Sequence, residues 1–390
     1  MKYYFILGNN PALSVAEIKA LYPKNSGFLA NSACFIMESD TEIDAKKLIR
    51  RLGGTIKIGL IEEEIANLSQ DLEESIIKTI NKSGNLRPEG KFNFGFSAYG
   101  LKFNFQKIGL EIKKEIKEGG FNARLVTSRD PNLSSVIIEQ NHLIDKGAEI
   151  VLIKCNNNKL FIGKTLSVQA FKELSFRDYG RPSRDDYSGM LPPKLAQIMI
   201  NLTQAKPDAV ILDAFCGSGT ILSEALLMGY QNLIGSDLSA KAIEDTKNNL
   251  AWIAEKFDHE LNHTKIFEYS ATMLSKKLAP KSVDVIASEP YLGPQRGQND
   301  INKIIATLEK LYSESIIEFS KILKDDGRVV MVWPVFSANN KFRTMNPKLG
   351  NFKIVPPLTK NELRMTERQT IIYGRQGQKV WREIVILEKK

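Results

Sequence analysis

Two short stretches carry residue types whose spacing suits the grip of a small charged molecule. The first, Asp213-Ala214-Phe215-Cys216-Gly217-Ser218-Gly219-Thr220, sets a carboxylate four residues ahead of the first of two glycines. Gly217 and Gly219 let the backbone approach a ligand closely, while Asp213 would repel a pyrophosphate but suits a cation bearing an ammonium and a sulfonium. The second, Gly235-Ser236-Asp237-Leu238, places Asp237 to accept both hydroxyls of a ribose. The two lie about one βαβ unit apart and together predict a nucleoside cofactor, held by Asp213, Phe215, Gly217, Gly219, Thr220, Asp237 and Leu238. A dinucleotide fits less well, because the pattern is not Gly-x-Gly-x-x-Gly and its acidic start would face phosphate. A third stretch, His259-Glu260-Leu261-Asn262-His263, has the spacing of a zinc protease. A metal-binding pair of this kind needs mid-helix placement and a third ligand. Here it falls at the end of the helix expected over Ala240 to Ala254, and the one other histidine, His142, is far upstream, so no metal is expected.

The elements that must position these residues follow from hydrophobic period. From Pro193 onward the pattern is that of a doubly wound α/β domain, with strands expected at Val210 to Phe215, Leu233 to Ser236, Lys265 to Tyr269, Val283 to Ala287 and Arg328 to Trp333. Helices fill the gaps, among them Ile221 to Met228 and Ile301 to Leu323. The two ligand motifs then fall at the carboxyl edge of a parallel sheet, where such folds bind small molecules. A final hairpin, Thr370 to Tyr373 and Trp381 to Leu387, inserts an antiparallel strand.

The amino-terminal part alternates differently. Tyr3 to Leu7, Ala12 to Leu21, Phe28 to Met37, Asp44 to Leu52 and Thr55 to Ile61 read as strand, helix, strand, helix, strand, a split βαβ unit over residues 1–64. Residues 65–170 read as a second unit. It has a helix opening at Asp71, a strand with Phe92, Phe94 and Phe96 on one face, a helix over 104–118, a helix near Ser135 to Leu143, and a hairpin of Glu149 to Cys155 with Lys159 to Val168. Residues 171–192 are polar and rich in Pro and Gly, as a linker is, and 193–390 form the last domain.

Composition bounds the partners. With 390 residues, 43% of them hydrophobic and 25% charged, the chain has material for two or three cores. Its three cysteines, Cys34, Cys155 and Cys216, lack paired spacing and are expected as buried reduced thiols. No apolar run approaches the roughly 18 residues needed to cross a bilayer. The first ten residues turn polar too soon for a signal peptide, so the cytoplasm is the expected compartment. The 54 Lys and Arg exceed the 45 Asp and Glu by nine, and the excess is uneven, because residues 341–390 hold twelve basic side chains against four acidic ones. That concentration points to a polyanion. The candidate phosphate contacts are Lys107 and Lys114 on the 104–118 helix, Arg177 and Arg181 in the linker, and Arg364, Arg368 and Arg375 near the carboxyl end.

Taken in order, the Asp213 motif, the Asp237 strand and the closing hairpin resemble the Rossmann-type S-adenosylmethionine (SAM) methyltransferases, which implies SAM as the cofactor. The loop Ser288-Glu289-Pro290-Tyr291-Leu292-Gly293-Pro294 resembles the Asp/Asn-Pro-Pro-Tyr loop of methyltransferases that modify exocyclic base amines. Such an amine is a poor nucleophile because its lone pair is delocalised into the ring. A loop carboxylate and a backbone carbonyl beside proline accept its N–H bonds and localise that pair, and an aromatic ring stacks on the base. The register leaves either Ser288 or Glu289 at the acidic position; the need for an acceptor favours Glu289, with Pro290 and Tyr291 completing the set. Ser270-Ala271-Thr272 departs from the resemblance, since relatives carry an acid there near the adenine amine.

The segments Tyr179-Gly180-Arg181-Pro182 and Ser188-Gly189-Met190-Leu191-Pro192-Pro193-Lys194-Leu195-Ala196 are similar to the stretch before the cofactor strand in THUMP-containing tRNA guanosine N2-methyltransferases, which adds Met190 to the cofactor set. The implied architecture is α/β: a ferredoxin-like domain, a THUMP-like RNA-binding domain and a Rossmann-type SAM methyltransferase domain with a mixed seven-stranded sheet. The implied activity is formation of N2-methylguanosine in tRNA at position 10, with tRNA as partner. Some relatives use a small zinc-binding activator subunit, so such a subunit is a candidate second partner. The alternatives are an amino-methyltransferase acting on adenine N6 in DNA or guanine N2 in ribosomal RNA, and a non-catalytic RNA-binding relative.

Overall fold

Period-two and helical hydrophobic spacings resolve into two sheets in a computed structural model of the chain, which describes residues 1–65, 72–82, 85–87, 89–184, 190–294, 300–338, 341–359, 363, 365–375 and 377–390. The chain divides into two compact units, Met1–Val15 with Tyr22–Lys172 and Ala16–Leu21 with Glu173–Lys390.

The elements of the amino-terminal part are β1 (Lys2–Leu7), α1 (Pro11–Leu21), β2 (Gly27–Asn31), β3 (Cys34–Glu38), α2 (Ala45–Arg51), β4 (Thr55–Ile65), α3 (Leu72–Lys82), β5 (Phe92–Tyr99), α4 (Gln106–Glu118), β6 (Ala123–Val126), α5 (Ser135–Gln140), β7 (Gly147–Lys154) and β8 (Leu160–Val168). They build one eight-stranded sheet in the order β2-β3-β1-β4-β8-β7-β5-β6. Its first four strands are antiparallel and have the ferredoxin-like order, with one correction to the expected elements. Phe28 to Met37 is not one extended segment but two paired strands, because the Asn31 side chain accepts the Ala33 N–H at 2.9 Å and turns the chain. Segments 1–65 and 72–172 share this sheet through the antiparallel pairing of β4 with β8. Phe92, Phe94 and Phe96 all face one way and bury against Ile76, Ile80, Ile112 and Ile116 of α3 and α4. On the sheet, Glu149 is fully buried and satisfied by Lys57 Nζ and Ser97 Oγ, each 2.5 Å from Oε1, and by Thr165 Oγ1 at Oε2. A buried carboxylate so completely paired joins β4, β5, β7 and β8 in one geometry.

The second unit contains α6 (Phe171–Tyr179), α7 (Pro193–Leu202), β9 (Ile211–Asp213), α8 (Thr220–Leu227), β10 (Leu233–Asp237), α9 (Ala240–Phe257), β11 (Thr264–Glu268), a 3-10 turn (Ala271–Lys276), β12 (Val283–Ser288), α10 (Ile301–Ile322), β13 (Leu323–Ala338), β14 (Lys341–Arg343), β15 (Phe352–Ile354), β16 (Ile371–Tyr373) and β17 (Val380–Lys389). The main strand order is β11-β10-β9-β12-β13-β17-β15, with β14 on β13 and β16 on β17. Strands β9 to β13 run parallel, and β17 enters antiparallel between β13 and β15. The sheet has nine strands, seven of them on this path where seven in all were expected, because the short β14 and β16 add to it, and the expected terminal hairpin is β16 with β17. The chain winds outward from β9 to β11, then crosses back to β12 on the other side of β9. This reversal opens a crevice at the carboxyl ends of β9, β10 and β12. Val329, Val330, Met331, Val332 and Val335 of β13 are wholly buried, the signature of a central strand covered on both faces.

One further expectation changes. Part of the stretch expected to be linker is helix α6, which buries Leu174 and Arg177 on one face. The His259-Glu260-x-x-His263 stretch is not helical: α9 stops at Phe257, Asp258 takes a left-handed φ of 56°, and His263 borders β11, so its two histidines lack the shared helical face a zinc site needs.

Candidate active site

Asp213 is the last residue of β9 and is almost completely buried. The chain then turns through Gly217 (φ +51°) and Gly219 (φ +81°) into α8, backbone angles that L side chains rarely adopt. A Cβ on Gly219 would lie 3.0 Å from Thr246 Cγ2, so the turn needs glycine there on two counts. Helix α9 holds this turn from outside. Thr246 Oγ1 donates to the Gly217 carbonyl at 2.7 Å, and Asn249 Nδ2 donates to the Ser218 carbonyl at 2.8 Å. Neither residue stands out in the sequence by motif, although two buried polar residues three apart on α9 are a usable signal.

Asp237 ends β10, and its carboxylate is oriented by two backbone N–H groups, Gly217 to Oδ2 and Ser239 to Oδ1, each at 3.0 Å. Leu238 follows, 74% exposed at the rim. A cavity of about 840 Å³ opens between these strand ends. It is lined by Asp213, Phe215, Gly217 and Thr220 of the turn after β9, by Asp237 and Leu238 at the end of β10, and by Met190 from the segment before α7. Gly219 lies against Thr246, outside that lining. Ser270 also lines the cavity; its hydroxyl caps the 3-10 turn through the Thr272 N–H, so the position that departs from the resemblance supplies a turn rather than an acid.

Glu289, Pro290 and Tyr291 line the same cavity. Ser288, the last residue of β12, is fully buried and donates its hydroxyl to Asp213 Oδ1 at 2.6 Å. Successive residues at a strand end point to opposite sides, so Ser288 turns inward and Glu289 faces the cavity. Tyr291 is 57% exposed, and its carbonyl accepts the hydroxyl of the buried Tyr312 at 3.1 Å. Glu289 is also tied to Arg382 of β17, Nε to Oε1 at 2.5 Å.

Four carboxylates line the cavity, Asp213, Asp237, Glu289 and Asp245, the last paired with Lys241 at 2.6 Å. Burial pushes the Asp213 carboxyl up to about 7; the neighbouring Asp237 and Glu289 charges add to the rise, while the hydrogen bonds from Ser288 and the Phe215 N–H oppose it. Burial likewise raises Glu289, and the Arg382 guanidinium pulls it back.

The basic residues sort differently from expectation. Arg177 and Arg181 are both 7% exposed and are not available to phosphate. Arg177 makes a two-point ion pair with Glu224 of α8, at 2.7 and 3.1 Å. Arg181 donates to Thr220 Oγ1 at 2.7 Å and to the Arg177 carbonyl at 3.1 Å. Both fasten the segment before α7 to the cofactor turn, which is why they sit next to the motif. Arg368 is also committed internally, to the Met345 carbonyl, Thr344 Oγ1 and the buried Glu383. Lys107 and Lys114 are exposed on α4, and Arg375 is exposed in the turn before β17. Arg364 lies outside the described residues.

Comparison with known proteins gives a consistent assignment. The family model described as UPF0020, RMKL-like, methyltransferase domain matches residues 181–348. The tRNA (guanine(10)-N2)-dimethyltransferase of Methanocaldococcus jannaschii is 26% identical over 341 residues, spanning 86% of this chain and 82% of that protein. A "Probable tRNA (guanine(10)-N2)-dimethyltransferase" of Methanothermococcus thermolithotrophicus is 33% identical over 138 residues, 35% of this chain and 77% of that protein. Among solved structures, TrmN from Thermus thermophilus shares the fold over 100% of both chains, with a TM-score of 0.55 at 18% identity. With a methyltransferase domain over residues 181–348 and these relatives beside it, the chain belongs to the tRNA (guanine(10)-N2)-dimethyltransferase family.

Proposed function

We propose that this protein transfers a methyl group from SAM to the exocyclic N2 amine of a guanosine in tRNA, at position 10. The observation that carries the reading is the convergence of Asp213, Asp237 and Glu289, from three neighbouring strand ends, on one 840 Å³ cavity. That volume lies within the roughly 300–1,000 Å³ range of small-molecule sites. The residues suit SAM: Asp237, held by two N–H groups, faces a ribose diol, and the buried Asp213 offers a carboxylate to an ammonium or sulfonium.

SAM, when bound, supplies an electrophilic methyl carbon on a sulfonium. Glu289 accepts an N–H bond of the guanine amine and localises the nitrogen lone pair, while Tyr291 stacks on the base and fixes its plane. With SAM bound, the amine held at Glu289 would take the methyl carbon and the C–S electron pair would stay on sulfur. The N–H proton made acidic by the new bond passes to the Glu289 carboxylate, whose raised pKa fits it for the task, and then to solvent. The amino-terminal unit, read as ferredoxin-like and THUMP-like domains, binds the tRNA body, with Lys107 and Lys114 on its surface. No helix among the described residues is long and apolar enough to cross a membrane, in keeping with action on tRNA in the cytoplasm.

The test is purified chain with labelled SAM and an unmodified tRNA transcript, followed by digestion and mass spectrometry. N2-methylguanosine at position 10 is the expected product. Methylation of adenine in DNA, of ribosomal RNA in preference to tRNA, or of nothing would overturn the reading. Running the assay with the chain alone decides the need for an activator subunit.

A further inference from the structure

Arg382 carries no motif that would place it in the site, and it does not line the cavity, yet it is bound to the residue that does. It sits on β17 with 11% of its side chain exposed and reaches 93 positions back to Glu289, Nε to Oε1 at 2.5 Å and Nη2 to Oε2 at 3.5 Å. We propose that Arg382 is a positioning residue that backs Glu289 from the side away from the cavity, fixing its carboxylate and keeping it ionised for the acceptor amine. This inference rests on the reading of Glu289 as the amine acceptor.

Three observations support it. The pairing is asymmetric, with Oε1 held at 2.5 Å and Oε2 only at 3.5 Å, which leaves Oε2 the less committed oxygen of a residue that lines the cavity. Arg382 is the cation that faces Glu289 among the described residues; the other titratable groups felt there are Tyr312 of α10 and Asp213 of β9, neither of which favours a negative charge. Burial raises the Glu289 carboxyl, and the charge and hydrogen bond of the Arg382 guanidinium oppose that rise, so the ion pair favours the charged form, the stronger acceptor. The guanidinium's planar fork, set by its strand, holds rotamer and charge together.

The experiment compares Arg382→Met, Arg382→Lys, Glu289→Gln, Glu289→Ala and the double variant Arg382→Met with Glu289→Gln. SAM affinity is measured first by calorimetry, as a check on folding, and should change less than about twofold. In Arg382→Met the acid limb of the pH–kcat profile should move up by about one unit or more, giving a roughly tenfold slower rate on that limb that recovers as pH rises. Arg382→Lys should keep the limb in place and lose less. Adding Arg382→Met to Glu289→Gln should cause no further loss, because the carboxylate it served is gone. If Arg382→Met folds poorly, with Glu289 left buried and unpaired, this double variant, which has no charge there, still supplies the comparison. A slowed Glu289→Ala enzyme combined with an unmoved acid limb in Arg382→Met, or equal slowing of the Glu289→Gln enzyme by Arg382→Met, overturns the inference alone. Wild-type turnover in Glu289→Ala overturns the acceptor reading and this inference with it.

Discussion

Ser288 donates its hydroxyl to Asp213 at 2.6 Å, joining the ends of two adjacent parallel strands beneath the cavity. The bond satisfies one oxygen of a carboxyl that burial pushes up to about 7. Between the unfolded value of 3.8 and about 7, the folded state holds a proton that the unfolded state has released, so Asp213 makes stability fall as pH rises through that window and leaves it lower above it. Asp213→Asn keeps the acceptor for Ser288 without the charge. In the absence of SAM, its melting temperature should match wild type near pH 4 and exceed it by several degrees near pH 8. A difference that stays flat with pH would show that Asp213 is ionised throughout.

Asp237→Ala should weaken SAM binding by roughly 1.5–3 kcal/mol, the range for a lost hydrogen bond to a charged group. The Gly217 and Ser239 N–H groups that now serve Asp237 lose their acceptor as well, so Asp237→Asn should be milder than Ala. Calorimetry with SAM decides it, and unchanged affinity would place the cofactor elsewhere.

Arg177→Ala should destabilise the chain by about 3 kcal/mol, because it strips the buried Glu224 of its ion-pair partner and leaves only the Arg181 charge and the Gln197 hydrogen bond to offset it. Arg177→Met with Glu224→Gln should recover most of that loss. Thermal unfolding measures both. For the folded double variant, the salt dependence of tRNA binding should equal wild type; a flatter slope would return Arg177 to the RNA surface.

Neutralising Lys107, Lys114 and Arg375 should flatten the plot of log affinity for tRNA against log salt by roughly 0.7–0.9 for each phosphate that no longer meets a cation. Arg368→Gln should instead lower the melting temperature, since it strips Glu383 of its cation. Filter binding across a salt series separates the two, and an unchanged slope in the triple variant would make those three charges a solvated face.

What could be read in the sequence follows from locality. Asp213 and Asp237 each end a short apolar run, and a parallel sheet puts such ends on one edge, so their meeting at one cavity was legible. The choice between Ser288 and Glu289 depends on which face of β12 is inward, which one strand end cannot reveal. Arg382 was out of reach because its partner is brought near only by the insertion of β17 beside β13. Arg177 and Arg181 look like surface charge when counted, and a buried ion pair has the same composition. The clue lay in Glu224, a lone acid within the apolar run Ile221-Leu222-Ser223-Glu224-Ala225-Leu226-Leu227, which a buried helix tolerates only with a cation facing it. The strands β14 and β15, each three residues long, leave too short a period to detect.

The placement of β17 also sets an order of events on the ribosome. Once β13 has emerged, residues 339–379 must still be synthesised before its antiparallel neighbour exists, and until then Arg328–Phe336 presents an open hydrogen-bonding edge. That edge is rich in valine, the composition that pairs with another copy of itself when left bare. A chain halted after Tyr373 is therefore expected in the insoluble fraction, and a soluble, monomeric one would refute this. In the growing polypeptide, β9, β10 and β12, whose ends line the cavity, precede β17. Arg382 arrives with β17, so its ion pair with Glu289 forms only after the strands that carry Asp213, Asp237 and Glu289 have been made.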